Sequence, residues 1–320
     1  MPYLTKSRFQ TGMECPTKLY YQSNAEKYTN TKTEDQFLEA LALGGFQVGA
    51  LARAYHPEGV LIAEESNEGA VNKTNELLAQ ENCTLFEAAI LAGDFLVKID
   101  ILVKKGDNIQ LIEVKAKSFN SDEDSFSTNK GQIRSAWKPY LTDVAFQVMV
   151  LQTAFPQFHV SAYLMLADKT KKATVDGLNQ QFKISKTEGR VTIVQKHALT
   201  PDDLGDRVLI KVPVSAEVEI LLNEAFELGG TVYTLSSYAE SLATDLKSGK
   251  KRFTSIGKHC LQCEFQTDGD HLSSGFIECW SGQTGLSAEQ LMQPLLFELW
   301  RGSLGSKDIL TPLFNRKIIF

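Results

Sequence analysis

The chain has 320 residues, of which 43% are hydrophobic and 22% are charged, and this ordinary composition excludes collagen-like and wholly disordered proteins. Its net charge of −6 argues against a protein that coats nucleic acid by bulk charge, so any nucleic-acid contact must be local. The start, MPYLTKSRFQTGM, is too polar for a secretory signal, and no stretch approaches the roughly 18 apolar residues that cross a bilayer. We therefore expect a cytoplasmic protein without a membrane partner.

The spacing of apolar residues predicts an α/β core. Apolar positions recur at helical spacing in two long segments, and strand-like runs lie between and after them. Thr33 is the predicted N-cap of the first helix, and Pro57 is its stop. The predicted elements are, in chain order, a helix at 34–55, an apolar run at 60–63, a helix at 68–80, three antiparallel strands within 84–116, a helix at 138–154 and a strand at 158–167.

At this length a single core stops growing, so we expect either two domains or one large core with appendages. The predicted regions are an N-terminal arm at 1–33, a core at 34–167, a hairpin insertion at 168–211 around Glu188-Gly189, a helical and cysteine-rich region at 212–280 with helices at 214–227 and 235–247, and a connector at 281–320. The connector is apolar up to Phe320. We expect it to pack only partly on this core, with Trp300 and Leu304 serving a further C-terminal domain.

A predicted hairpin brings two carboxylates together. With Gly106 and Asp107 in its turn, the hairpin places Asp100 opposite Glu113. Lys115 follows on the same face as Glu113, because side chains alternate along a strand. The other face is apolar and is expected to pack against a helix. One exposed strand face therefore collects two carboxylates and an ammonium group.

This trio of side chains suits phosphodiester hydrolysis. Two carboxylates a few ångströms apart repel each other unless a cation lies between them, and oxygen ligands of this kind bind Mg²⁺ or Mn²⁺. Such a cation polarises a phosphate, and a nearby lysine orients or helps to deprotonate the attacking water. An acidic-x-basic triplet is also common by composition alone. The alternative is therefore a solvated strand face with a cross-strand charge network.

The helix at 138–154 carries a polar stripe. Tyr140, Asp143 and Gln147 are spaced three and four residues apart, which places them on one helical face. A polar stripe is usually the solvated face of a helix. This stripe follows the strand of Glu113 by one loop, which is where a motif resembling the RecB-type nucleases has its glutamine.

The motifs ID-x12-EVK and Y-x2-D-x3-Q, in this order, resemble the PD-(D/E)XK nuclease superfamily, in particular its RecB-like branch. The resemblance implies a restriction-endonuclease-like α/β core, in which a mixed sheet is flanked by helices. It also implies that Asp100 and Glu113 bind the metal and that Lys115 is the catalytic lysine. Gln147, with Tyr140, would line the DNA path.

One position departs from that family pattern. Many members of the branch carry a histidine on the first core helix as an extra metal ligand, and residues 34–55 contain none. Glu39 on that helix or Glu87 on the following strand is the expected substitute. His56, at the end of the helix, is a weaker candidate.

Four of the five cysteines bracket the predicted core. Cys260, Cys263 and Cys279 crowd into one late segment, and Cys15 lies near the start. Four thiolates bind either zinc or an iron–sulfur cluster, and the spacing alone does not choose between them. Together with CP-x2-LYY, this arrangement resembles the AddB nuclease domain and the CRISPR-associated 4Fe-4S nucleases. The resemblance implies a structural 4Fe-4S cluster that joins the ends of the chain.

The remaining cysteine chemistry leaves alternatives open. The five cysteines are odd in number and unevenly spaced, which argues against a disulfide framework. The long gap before Cys279 departs from the usual spacing, and His259 or His271 is the alternative ligand. Cys83 lies on a predicted strand and is expected to be a small buried apolar residue. Four unrelated thiols are the alternative to any metal centre.

The most basic window of the chain is KSGKKRFTSIGKH. Phosphate contact is its functional interpretation, and a solvated helix end is the alternative. Trp137 is expected to stack on a base from the opposite wall of a channel. The candidate phosphate contacts are Lys250, Lys251, Arg252 and Lys258.

These features favour a metal-dependent DNA nuclease. We expect an exonuclease, or an enzyme that prefers single strands or free ends, with an iron–sulfur cluster, Mg²⁺ or Mn²⁺, and DNA as its partner. The alternatives are a non-catalytic nucleic-acid-binding module and a zinc-clamped interaction protein. The chain has no Walker A motif, so it does not drive its own unwinding.

Overall fold

A mixed β-sheet with helices on both faces forms the centre of the molecule. The structure is a computed structural model and describes residues 2–34, 36–187, 190–194, 199–267 and 273–293. The strands are β1 (Leu4–Thr5), β2 (Val60–Leu61), β3 (Asn82–Ala92), β4 (Phe95–Lys105), β5 (Asn108–Phe119), β6 (His159–Asp168), β7 (Lys183–Thr187), β8 (Arg190–Val194), β9 (Leu209–Pro213), β10 (Phe226–Leu228) and β11 (Thr231–Tyr233). The helices are α1 (Lys6–Glu14), α2 (Pro16–Gln22), α3 (Gln36–Ala54), α4 (Asn67–Leu78), α5 (Lys138–Ala154), α6 (Pro201–Leu204), α7 (Ser215–Asn223), α8 (Leu235–Ser248), α9 (Gly275–Thr284) and α10 (Ala288–Leu291), with short 3₁₀ turns at Thr31–Glu34, Leu178–Gln181 and Lys258–Gln262.

The strand order confirms the α/β class expected from the sequence. Within the described ranges the central sheet runs β2–β3–β4–β5–β6–β9, and β1 pairs in parallel with the start of β4. The strands β3, β4 and β5 form the predicted antiparallel meander. The strand β6 is parallel to β5, and helix α5 provides the crossover between them.

The hairpin register follows the sequence prediction for most of its length. The turn uses Gly106, whose φ of +55° suits glycine, and Lys105 pairs with Asn108. Ile101 then lies opposite Ile112. The predicted geometry of the two strands is therefore confirmed up to that pair.

Both faces of the hairpin are buried. On one face, Ile101 and Ile112 pack with residues of α3, among them Leu51. On the other face, Leu102 and Leu111 belong to the larger core under α1 and α5. The expectation that the carboxylate face is exposed was wrong, because α1 and α5 cover it.

The region at 168–211 is only partly an insertion. The hairpin β7–β8 forms as predicted, and its turn at Glu188-Gly189 lies outside the described residues. The last part of the region forms β9, which pairs with β6 in the central sheet. The sequence prediction also missed the hairpin β10–β11, which follows α7 and turns at Gly229-Gly230.

The cysteine-rich region ends in a small packed cluster. Phe276 and Trp280 of α9 are buried together with Leu291 of α10. The first part of the expected connector, up to residue 293, therefore packs on α9. The rest of it, including Trp300, Leu304 and Phe320, lies outside the described residues. In the part of the chain that the structure describes, no helix has both the length and the apolar character required to cross a bilayer.

Candidate active site

The strands β4 and β5 separate at the predicted carboxylate pair. Their backbone pairing ends at Ile101 and Ile112. One residue further, the carboxylate of Asp100 accepts a hydrogen bond from the backbone N–H of Val114, with an N–Oδ2 distance of 2.7 Å. Asp100 therefore stands where the sheet opens, and the continuous pairing expected between Asp100 and Glu113 is replaced by this side-chain contact.

Glu113 is the centre of the site, and its side chain is 1% exposed. Its Oε1 atom lies 2.8 Å from Nζ of both Lys6 and Lys115. Its Oε2 atom accepts hydrogen bonds from Lys6 at 3.0 Å and from Gln147 Nε2 at 2.8 Å. A carboxylate offers about four lone-pair positions. All of them are thus occupied by these three side chains.

Lys6 lies at the candidate site although no pattern in the sequence indicated it. It begins α1, and its Nζ also lies 3.9 Å from Asp100 Oδ1. In the sequence it is separated from Glu113 by 107 positions. Only the pairing of β1 with β4 brings it to the site, and no local pattern in the sequence indicates that pairing.

The charges around Glu113 determine its protonation state. Burial alone would raise the pKa of Glu113, but the ammonium groups of Lys6 and Lys115 outweigh burial and hold that pKa below its usual range. Glu113 is therefore ionised at neutral pH.

Lys115 is held between two carboxylates. Its Nζ donates to Asp143 Oδ2 at 3.0 Å as well as contacting Glu113. Burial alone would lower the pKa of Lys115, but the charges of Glu113 and Asp143 outweigh it and raise the pKa. Lys115 therefore keeps its proton in the metal-free protein, where it donates hydrogen bonds and supplies positive charge.

The polar stripe of α5 points into the molecule. Asp143 and Gln147 are both fully buried. Gln147 was expected to line the DNA path, but its amide donates to Glu113 and so holds that carboxylate in place. Tyr140 is half-buried, and its ring lies 4.9 Å from Nζ of Lys117. The stripe is thus a supporting layer for the site rather than a solvated face.

The two substitute metal ligands proposed from the sequence have different positions. Glu87 lines the same groove as Asp100, and its φ of +55° makes it the one residue other than glycine with positive φ among the described residues. Such strain in a non-glycine residue is often found at functional sites. Glu39 is exposed and pairs with Lys186 at 2.5 Å. Glu39 is therefore not part of the site, because its helical turn faces the β7–β8 hairpin.

A groove of about 400 Å³ gives access to Asp100, which stands in front of the buried Glu113. Helix α3 lines one wall with Gly45, Phe46 and Gly49, and the sheet contributes Asp100 and Lys115. A side chain at either glycine would meet no atom within 4 Å. The small residues therefore leave an open channel next to the carboxylates, and Phe46 stands in it with 47% exposure.

The carboxylates fit a divalent cation. Lys6 Nζ lies within 4 Å of oxygens from both Asp100 and Glu113 and so acts as a stand-in cation. Mg²⁺ and Mn²⁺ are usually bound by one or two carboxylates together with substrate phosphates. Burial, followed by the charge of Glu113, raises the pKa of Asp100. A cation at this position would therefore relieve a repulsion that the metal-free protein retains.

We expect Asp100→Asn to stabilise the metal-free protein. The folded state binds the Asp100 proton more tightly than the unfolded chain does, so ionisation of Asp100 lowers stability as pH rises from 3.8, its ordinary pKa, through the raised value. The asparagine lacks this charge and still accepts from Val114. We expect a gain of about 1 kcal/mol near pH 8, or roughly 2 °C in Tm. The gain should shrink at pH 5; thermal unfolding at both pH values measures it, and equal or lower stability at pH 8 would contradict the assigned repulsion.

The four cysteines chosen from the sequence line one small cavity. Cys15, Cys260, Cys263 and Cys279 surround it together with His259, and its volume is about 20 Å³. That volume admits roughly one water-sized sphere. Among the described residues, no group of three or more His, Cys, Asp or Glu side chains is arranged to hold a metal ion as it stands. The donor set fits a thiolate-bound metal in its chemistry, but an eight-atom cluster would require the four side chains to move apart.

Two thiols of this cavity, those of Cys263 and Cys279, are protonated at neutral pH. Burial raises the pKa of Cys263 to about 12 and the pKa of Cys279 to about 11. Thiolate ligands must lose their protons, so metal binding here would release protons. His259 contacts Cys15 and Cys260, and these hydrogen bonds raise the pKa of His259 to about 10. The alternative ligand His271 lies outside the described residues, and Cys83 is half-buried on β3, away from the cavity.

The N-terminal arm is tied to the cysteine region by polar contacts. Thr17 Oγ1 donates to the carbonyl oxygen of Arg252 at 2.6 Å, and the hydroxyl of Tyr28 donates to Glu278 at 2.6 Å. The buried Lys18 pairs with Glu264 at 2.6 Å. These contacts join the two ends of the described chain and place Cys15 beside the late cysteines.

Several cations of the basic window have internal partners. Lys247 pairs with Asp94, and Lys251 pairs with Glu278. Arg252 Nη2 lies 2.6 Å from Asp245 Oδ2. These pairs reduce the positive charge that the window offers to a phosphate. Lys250 is exposed, and the side chain of Lys258 lies outside the described residues.

Trp137 does not present a stacking surface. It is 7% exposed and packs against Phe119, Phe126 and Tyr140, with ring-centroid distances of 5.8, 5.1 and 6.0 Å. The expectation that it stacks on a base was wrong, because the loop at 118–131 folds back and covers the indole. Trp137 is the N-cap residue of α5, and its side chain makes no capping hydrogen bond there.

Comparison with known proteins adds no family to this geometry. No protein-family model matches the sequence, and no curated protein was found to be a relative. We therefore infer the function from the site itself and from the short motifs that resemble PD-(D/E)XK nucleases.

Proposed function

We propose that this protein is a metal-dependent nuclease that hydrolyses phosphodiester bonds in DNA. The observation that supports it best is the buried carboxylate of Glu113, which Lys6, Lys115 and Gln147 hold beside Asp100 at the opening of the sheet. A groove with an exposed aromatic residue, Phe46, leads to this point.

A purely structural charge cluster would be arranged differently. Buried ion pairs are costly unless every charge is compensated. Here Asp100 is left with a raised pKa, and the strained Glu87 faces the same groove. Perturbed carboxyl groups beside an accessible groove are typical of catalytic and metal-binding sites. The arrangement therefore favours function over stability.

Each side chain has a distinct task in the proposed reaction. When bound at Asp100 and Glu113, Mg²⁺ or Mn²⁺ would supply Lewis-acid polarisation of the phosphate and lower the pKa of the attacking water. Lys115 keeps its proton, and its ammonium group stabilises the negative charge that develops on the phosphate oxygens. Asp143 orients Lys115, and Gln147 orients Glu113.

DNA is the proposed substrate, and free ends are the proposed point of attack. The net charge of −6 requires that binding be local, as it would be in a groove. Phe46 offers a face on which a base can stack, a contact that does not depend on sequence. The choice of DNA and of exonuclease action follows the resemblance to RecB-like enzymes.

The decisive experiment incubates the full chain with end-labelled linear and closed circular DNA, single- and double-stranded, with Mn²⁺, Mg²⁺ or a chelator. We expect cleavage that requires the metal, is faster on linear than on circular DNA, and is retained by the control variant Glu39→Gln. Equal cleavage of circles would indicate an endonuclease. Metal-independent binding without cleavage would indicate a non-catalytic nucleic-acid-binding module instead.

We further propose that the four cysteines bind a structural metal centre. The resemblance favours a 4Fe-4S cluster, and zinc is the alternative that the small cavity favours. In either case the centre would clamp the N-terminal arm to the late part of the chain, where Thr17 and Tyr28 already make contacts. Free thiols at all five cysteines suit a reducing compartment, so we propose that the protein acts in the cytoplasm.

A further inference from the structure

We infer that Lys6 occupies the place of the divalent cation in the metal-free protein and is displaced when Mg²⁺ or Mn²⁺ binds. The inference rests on the proposed function, because it takes Asp100 and Glu113 as the metal ligands. Its consequence is that Lys6 competes with the metal and thereby sets the metal affinity of the site.

The position of the ammonium group supports this competition. Lys6 Nζ contacts both oxygens of Glu113, at 2.8 and 3.0 Å, and lies 3.9 Å from Asp100 Oδ1. A cation bridging the two carboxylates would have to be close to the same oxygens. Two positive charges cannot share that space, because their repulsion in a partly buried site is large.

The hydrogen bonds of Glu113 identify the group that leaves. With every lone-pair position occupied, Glu113 can bind a metal only after it loses a donor. Lys115 is also held by Asp143, and Gln147 is fully buried in α5. Lys6 has only Asp100 as its other partner among the described residues, and Asp100 is itself a proposed ligand. Lys6 is therefore the donor that is lost at the lowest cost.

The helix that carries Lys6 is fixed, but its side chain is not enclosed. Phe9 of α1 stacks on Phe146 of α5 with ring centroids 4.2 Å apart, and Gly12 lies so close to Leu242 that a Cβ would approach it to 2.5 Å. The side chain of Lys6 is 24% exposed. The four-carbon stem can thus swing its ammonium group into solvent while α1 stays in place.

This arrangement explains how the site remains folded without a metal. Two carboxylates at the opening of a sheet repel each other, and an unpaired buried charge is strongly destabilising. Lys6 supplies the neutralising charge until a metal replaces it. The N-terminal arm thus provides a built-in counter-cation for the metal site.

The test is calorimetric titration of the full chain with Mn²⁺ alone, at fixed pH and ionic strength. Lys6→Met removes the competing charge and keeps an unbranched side chain that is one atom shorter, and we expect it to bind Mn²⁺ about tenfold more tightly than the unaltered protein. Lys6→Arg keeps the charge and should bind no more tightly. Lys117→Met is the matched control for long-range charge effects, because Lys117 lies over Trp137 and Tyr140; its affinity should change by less than about twofold. Asp100→Asn defines the titration that lacks this site.

Thermal unfolding provides a second readout that does not depend on activity. The metal-free Lys6→Met variant should unfold at a lower temperature, and Mn²⁺ should raise its Tm more than that of the unaltered protein. If Lys6→Met binds Mn²⁺ equally or more weakly while Asp100→Asn loses binding, the competition is overturned and the proposed metal site stands. If the unaltered protein and Lys6→Met both bind Mn²⁺ no better than Asp100→Asn does, the proposed metal site fails along with the inference.

Discussion

Lys115→Met is expected to lower the rate of DNA cleavage by roughly 10²–10³-fold while metal binding is retained. Lys115 is not a proposed metal ligand, and the charges of Glu113 and Asp143 keep it protonated. In the proposed reaction it stabilises negative charge on the phosphate, and loss of a single pre-positioned donor has an effect of this size. Single-turnover cleavage with saturating Mn²⁺ measures the rate, and calorimetry measures the affinity for the metal.

Lys117→Met is the matched control for this experiment. Lys117 is two residues further along β5 and contacts the rings of Trp137 and Tyr140 rather than a carboxylate. Its removal should change cleavage by only a few-fold. If Lys115→Met cleaves at the rate of this control, the assignment of Lys115 to the proposed reaction is incorrect.

Cys15→Ser should abolish metal binding at the cysteine cavity and destabilise the whole protein. Cys15 is buried between α1 and α2, and its thiol faces the late cysteines across the cavity. Structural metal centres contribute on the order of 10 kcal/mol to folding, which is comparable with the total stability of most domains. Elemental analysis and visible absorption of anaerobically purified protein measure the metal, and solubility with thermal unfolding measures stability.

Cys83→Ser is the control, because Cys83 lies on β3 outside the cavity. Iron and sulfide with a brown colour in the unaltered protein would support the cluster, and stoichiometric zinc without iron would identify a zinc clamp. Whichever of the two metals the unaltered protein contains should also be present in Cys83→Ser. If neither metal is found in the unaltered protein, and Cys15→Ser is as stable as Cys83→Ser, the four cysteines are unrelated thiols.

Local chemistry in the sequence predicted the hairpin of the site. Gly106 supplies the positive φ of a two-residue turn, and that turn fixes which residues of β4 and β5 lie opposite each other. The helix that carries Gln147 was also predictable from local sequence, because apolar residues recur at helical spacing along its whole length. Strand pairing between neighbouring segments of the chain can thus be predicted from the sequence.

Long-range packing decided what the sequence could not show. Lys6 reaches Glu113 only because β1 joins the start of β4. The stripe of Asp143 and Gln147 has the spacing of a solvated face, yet both residues are buried, because their partners are charges inside the protein rather than water. Trp137 is covered by a loop without any periodic pattern.

The hairpin β10–β11 was missed for a different reason. Its glycine pair, Gly229-Gly230, is a turn signal, and both residues have positive φ. The signal was present, but the apolar residues before it continued the helical pattern of α7, so the segment was assigned to the helix. The sequence therefore indicated the turn at Gly229-Gly230 but not the residue at which α7 ends.

The contacts of the N-terminal arm determine the order of events during synthesis on the ribosome. The hydrogen bond from Tyr28 to Glu278 cannot form until Glu278, which is 250 residues later in the chain, has been synthesised. In the same way, the hydrogen bond from Thr17 to Arg252 cannot form until Arg252 has been synthesised. At about 5–20 residues per second, synthesis of the chain from Tyr28 to Glu278 takes roughly 12–50 s. Tyr21, which is buried in the finished protein, packs against Phe265 and so lacks this partner during most of that time. The arm that carries Lys6 and Cys15 is thus synthesised well before the residues on which it docks, and its contacts with them are among the last to form.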